Sequence, residues 1–134
     1  MYKYIFIFLL TLPVLAAGQS LKGHTYTWTA QKVYDFASDT VLSQPGIFIS
    51  YSFEKFEMVQ YSTTFTFAVT SRQGDWKDIS QTGQMVFSVK TNNQPGIITV
   101  GRDDGGIYLV LDMTPAQPTA IKSKYFISSL TLHE

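Results

Sequence analysis

Residues 63–70, Thr-Thr-Phe-Thr-Phe-Ala-Val-Thr, come close to strict alternation of polar and apolar side chains. A period of two sends successive side chains to opposite faces of an extended chain, so the segment reads as a half-buried strand with Phe65, Phe67 and Val69 toward a core. The pattern recurs. From His24 to Ala30, Tyr26, Trp28 and Ala30 share one face and the threonines the other; from Ile47 to Phe53, Ile47, Ile49, Tyr51 and Phe53 align. A polar Glu54-Lys55 turn leads to a strand around Phe56 to Tyr61, and Gln84 to Lys90 turns Met85, Phe87 and Val89 inward. Ile97 to Arg102 and Ile107 to Asp112 flank Asp103-Asp104-Gly105-Gly106, whose glycines tolerate the positive φ of a tight hairpin; Tyr125 to Leu132 is the last strand.

Ala37 to Pro45, Ser71 to Gly83, Thr91 to Gly96 and Thr114 to Lys122 read as loops or turns, and Gln31 to Phe36 either extends the first strand or makes one helical turn. Eight strand candidates and no amphipathic helix beyond the N-terminal run predict an all-β domain. The expected architecture is an antiparallel meander of about eight strands, closed as an up-and-down barrel or folded as a β-sandwich, because a meander of that length must hide its edges. Ser43-Gln44-Pro45-Gly46-Ile47 and Asn93-Gln94-Pro95-Gly96-Ile97 repeat a short pattern, but sliding the chain by that offset finds little further identity. Each Pro-Gly pair is expected to form a type II turn before a strand.

The N-terminal run is of a different kind. Lys3 precedes an apolar stretch from Ile5 to Leu15 and the small residues Ala16-Ala17-Gly18, the order of a secretory signal peptide. Cleavage after Gly18, with cleavage after Ala16 the alternative, would leave a single β domain from Gln19 to residue 134, exported to the periplasm or outside the cell. The chain has no cysteine, so such a domain must be held by its core rather than by disulfides. Ten Lys plus Arg balance ten Asp plus Glu, which leaves no basic footprint for nucleic acid. The outward positions Thr64, Thr66, Ser88 and Lys90 are polar, unlike the lipid-facing residues of a membrane-spanning barrel.

Groups able to carry chemistry are sparse. The histidines His24 and His133 lie at the edges of the domain, no nucleophile elbow is present, and no ligand spacing suits zinc. Glu54 with Glu57, and Asp75 with Asp78, would support a carboxylate-dependent hydrolase only if they converged in a pocket. Asp103-Asp104 lacks the longer acidic loop calcium requires. No catalytic residue, metal site or cofactor is assigned.

Aromatic residues are in surplus: outside residues 1–18 the chain holds Trp28, Trp76, six tyrosines and eight phenylalanines. Small barrels fill their bore with side chains or hold one small ligand, so Trp28, Trp76, Tyr26 and Tyr51 are the candidate ligand-binding residues. Trp76 stands out because it lies in a polar Gly-Asp-Trp-Lys loop. The leading expectation is a non-enzymatic exported domain that binds a small apolar or amphipathic molecule, or an extracytoplasmic protein. A carbohydrate-binding or adhesion module using exposed aromatics is the alternative, and an open sheet edge would allow a homodimer.

The lead Leu21-Lys22-Gly23, the strand with Trp28, the run of hairpins and the closing Tyr125-Phe126-Ile127-Ser128-Ser129-Leu130-Thr131-Leu132 give the chain a layout that resembles the small lipocalin-like, or calycin-type, domains of exported bacterial proteins. That resemblance implies an up-and-down barrel with a cavity open at one end and a small apolar ligand. It transfers no individual binding residue.

Overall fold

A computed structural model of the chain describes residues 23–133; the proposed signal peptide lies outside the described residues. Nine antiparallel strands follow in chain order: β1 (Thr25–Asp35), β2 (Thr40–Leu42), β3 (Gly46–Tyr51), β4 (Lys55–Gln60), β5 (Thr63–Gly74), β6 (Gly83–Thr91), β7 (Gln94–Asp103), β8 (Gly106–Asp112) and β9 (Lys122–His133). Each of β3 to β9 pairs with the next, β3 pairs with β1, and β9 returns to β1 along its length. Eight strands thus close into an up-and-down barrel, which decides between barrel and sandwich. The ninth, β2, pairs with β1 alone, over Val33 to Asp35. It falls within the segment expected to be loop.

Alternation sets what fills the bore. Trp28, Phe48, Phe56, Phe87, Ile98, Val100 and Leu109 are fully buried, and Tyr26, Phe67, Met85, Val89, Leu111 and Tyr125 nearly so. Phe48 meets the Tyr125 ring edge-on at 4.8 Å, and Phe56 meets Phe87 edge-on at 5.2 Å, the crossed geometry aromatic quadrupoles favour. An eight-stranded bore is just wide enough for such side chains, so large residues in one strand require small ones opposite. Ser50 is that small residue for Trp28, whose Nε1–H donates to Ser50 Oγ at 3.0 Å. Gly46 does the same for Tyr125: a Cβ there would lie 2.9 Å from the tyrosine ring. With Gly46, Phe48 and Ser50 inside, the face shared by Ile47, Ile49 and Tyr51 is the outer wall.

Three further expectations are corrected. Thr91 pairs with Gln94, so the turn is only Asn92-Asn93, both left-handed (φ 51 and 65) as a two-residue type I′ hairpin requires. Pro95 and Gly96 belong to β7 instead. Neither Gly46 nor Gly96 has positive φ, so neither Pro-Gly pair forms a type II turn; their glycines serve close approach, to Tyr125 and to Met113. The two segments sit on opposite sides of the barrel, in β3 and β7, with three barrel strands between them either way round. Phe65 stands opposite Met58 in the ladder and so faces the bore side, yet it is 39% exposed because it lies at the barrel's end.

Close packing makes glycine positions unequal. A Cβ at Gly101 would collide with the Gly83 carbonyl oxygen and lie 3.0 Å from Gln84 Cα, both backbone, whereas a Cβ at Gly96 would first meet the tip of Met113. Backbone cannot yield cheaply; a methionine side chain can. Gly101→Ala should therefore lower unfolding free energy by about 1–3 kcal/mol or more, and Gly96→Ala by less, in urea titrations. Equal costs would contradict this account of the packing.

Candidate functional site

The two ends of the barrel differ. At the end where β1 begins, the β3–β4 turn and the β5–β6 loop fold aromatic side chains inward. Phe53 is left-handed at φ 56, unusual for a bulky residue, and its ring is buried 4.9 Å from Phe87 and 6.0 Å from Phe56. Trp76 lies beside Gly83, where a Cβ would come within 2.8 Å of its indole. Its Nε1–H donates to the Gln81 carbonyl at 2.9 Å, and Arg102 Nε holds the same loop through the Ile79 carbonyl at 2.6 Å. This end is plugged.

At the other end, where β1 finishes, a pocket of about 200 Å³ opens to the outside. Its floor is the buried set Val33, Met58, Leu111, Ser123 and Tyr125; its rim is Asp35, Leu42, Gln44, Gln60 and Ile121. β1, β4, β8 and β9 each supply an inward residue at their last or first turn, and the β2 hairpin leans Leu42 over the opening. An apolar floor with a few polar groups on the rim suits a small molecule with an apolar part and one or two polar atoms. Burial pushes the Tyr125 phenol above its ordinary pKa, so this wall of the pocket, neutral at pH 7 in any case, stays neutral further into the alkaline range.

Two larger depressions lie outside the bore. One, of about 350 Å³, runs across the outer faces of β7, β8 and β9, but Lys122 sits 4.7 Å over the Phe36 ring, and Lys124 sits 4.8 Å over the Tyr108 ring and 2.9 Å from Asp103. A lysine thus covers one face of each ring, while Phe36 stays partly exposed. The other, of about 440 Å³, lies around the β5 bulge at Thr70, between exposed Glu54, Thr70, Ser71 and Arg72 and the edge of the plug at Phe53.

The sequence candidates divide accordingly. Trp28 and Tyr26 lie in the packed bore, Trp76 is 2% exposed in the plug, and Tyr51 is on the outer wall, donating to Glu57 Oε1 at 2.8 Å. They are not brought together, and buried Trp76 offers no stacking platform. Nor do the carboxylates converge. Glu57 is on the outer wall with Tyr51, Asp75 is exposed beside Lys77 at 3.7 Å, and Asp78 accepts from Ser80 Oγ and N, which holds its carboxyl below the usual range. Asp103 is likewise lowered, chiefly by Lys124. Among the described residues no cluster of His, Asp and Glu could hold a metal.

Sequence reasoning passed over the mouth. The available signal was Leu42 and Ile121, apolar residues in segments read as loops, which is the ground on which Trp76 was singled out. No protein-family model, curated protein or solved structure matches the chain.

The buried phenols carry a consequence for stability. Tyr26 Oη is buried without a hydrogen-bond partner among the described residues, and burial raises the pKa of Tyr26 as well as of Tyr125. Tyr26→Phe should raise unfolding free energy by about 1 kcal/mol at neutral pH, since it removes an unpaired hydroxyl. The raised phenols stay protonated in the fold while the unfolded chain ionises from about pH 10, so their contribution is complete below that pH and is lost above it. Urea midpoints measured between pH 8 and 11 should fall at the alkaline end, less steeply in Tyr26→Phe/Tyr125→Phe.

Proposed function

We propose that the chain is an exported, non-enzymatic β-barrel domain of the lipocalin-like type that binds a small apolar or amphipathic molecule at the open mouth. The observation that carries this reading is the asymmetry of the barrel: Phe53 and Trp76 plug one end, while a pocket floored by Met58, Leu111 and Tyr125 opens at the other. Export is supported by the order of charge, apolar run and small residues over 1–18. A binding role is favoured over hydrolysis because the candidate carboxylates are dispersed: Glu57, Asp75 and Asp78 each have a structural partner, and Glu54 lines the depression at the β5 bulge without a second carboxylate. A water-soluble barrel is favoured over a membrane-spanning one because the aromatic residues fill the bore and threonines stud the outer wall, the reverse of the membrane arrangement.

The pocket's volume suits a chain of about six heavy atoms rather than a steroid-sized molecule. Titrating 1-hexanol into methyl-labelled protein should shift the Met58, Leu111 and Ile121 methyl resonances saturably, with a dissociation constant of about 1 mM or tighter. Ser123→Leu, which fills the floor, should weaken that binding about tenfold or more while the fold persists. Absence of saturable shifts at the mouth, or indifference to Ser123→Leu, would overturn the reading. N-terminal sequencing of the secreted product should begin at Gln19 or Ala17; a product retaining Met1 would contradict export with cleavage.

A further inference from the structure

Among the described residues eight large hydrophobic side chains are exposed, and seven of them belong to the mouth end; only Leu132 lies at the plugged end. Phe36 (40% exposed), Val41 (58%), Leu42 (42%), Tyr61 (85%), Phe65 (39%) and Ile121 (62%) come from four separate chain segments around the opening. Scattered exposed apolar residues need no explanation, but their confinement to one end marks a contact surface. Beside them β2 has, among the described residues, a single strand neighbour, β1, so its other edge presents backbone groups unpaired by them.

We propose that this end is the interface of a homodimer in which β2 of one copy pairs antiparallel with β2 of the other across a two-fold axis. The free edge selects the occupant. A backbone edge is satisfied by another extended strand, whereas immersion in a bilayer would leave its N–H and C=O groups unpaired. Thr40-Val41-Leu42 is a suitable partner for its own copy: a two-fold axis at Val41 makes the edge self-complementary, with Val41 opposite its counterpart and Leu42 opposite Thr40.

Full burial of the patch would reach the area a dimer needs. At ordinary side-chain areas the six residues expose roughly 600 Å² on one copy, so joining two removes on the order of 1,200 Å², the lower bound of a specific stable interface. The arrangement would also set two mouths face to face. Each pocket of about 200 Å³ is small for a ligand site, and two joined reach the lower part of the usual range. This last consequence rests on the ligand reading above; the dimer does not.

Sedimentation equilibrium of the domain from Gln19 to Glu134, at concentrations from about 1 to 100 μM, tests the proposal. A dimer is expected, with Val41→Lys and Tyr61→Lys each raising its dissociation constant about tenfold or more. Gly105→Lys, at the plugged end, should leave it unchanged, and circular dichroism should show all three variants folded. A monomer throughout that range, a dimer indifferent to Val41→Lys, or a monomer that co-sediments with phosphatidylcholine vesicles would overturn it. Hexanol titration of the monomeric Val41→Lys protein separates the two readings: binding at its mouth without dimerisation of the parent would sink the dimer alone, and a dimer that binds no hexanol would sink the ligand site alone.

Discussion

Everything in this barrel depends on fitting aromatic side chains into a bore one side chain wide. Trp28 sets the constraint. It is the largest residue in the centre of the core, fully buried, and its indole N–H can be satisfied only by a group small enough to share the cross-section. Ser50 supplies both the space and the acceptor. The same exchange of large for small recurs at Gly46 against Tyr125, Gly83 against Trp76 and Gly96 against Met113. With no cysteine to staple the chain, this complementarity is what holds the domain.

The consequence for function is that the bore holds no room for a ligand along most of its length. Among the described residues, space within the bore is found where the packing ends, and the two ends are treated differently. The β3–β4 turn accepts a left-handed Phe53 so that its ring can enter one end, and the β5–β6 loop brings Trp76 in beside it. Backbone strain of that kind persists where packing over-determines it. At the other end Leu42 and Ile121 stay exposed and Ser123 leaves a hollow beneath them. Most of the aromatic surface is thus structural, and of the aromatic residues only Tyr125 joins the aliphatic, thioether and small polar groups that line the site.

Much of this was legible in the chain. The alternation of Tyr26, Trp28 and Ala30, and of Met85, Phe87 and Val89, is reproduced strand for strand, because a period of two has one reading once a face is buried. Closure was legible only as one of two ways to hide edges; the β1–β9 ladder that decides it joins residues about a hundred positions apart, and local pattern carries no signal over that distance. Pro45-Gly46 and Pro95-Gly96 looked like turn chemistry, but Gly46 answers to Tyr125 in the bore and Gly96 to Met113 beside it at the end of the neighbouring strand, partners no local window contains. Trp76 was misplaced for a related reason: its polar neighbours Asp75 and Lys77 suggested an exposed loop, while the indole itself turns inward over Gly83.

The claim that the bore is dry and filled is best tested by hydrogen exchange of the two indole N–H protons, followed by NMR across a urea series. With Trp28 Nε1–H bonded to Ser50 Oγ inside closed packing, its exchange should proceed only through global unfolding, with a free energy equal to that of the unfolding transition. Exchange of the Trp28 indole within minutes under native conditions, independent of urea, would mean that water or a ligand channel reaches the centre of the barrel, and would contradict the account.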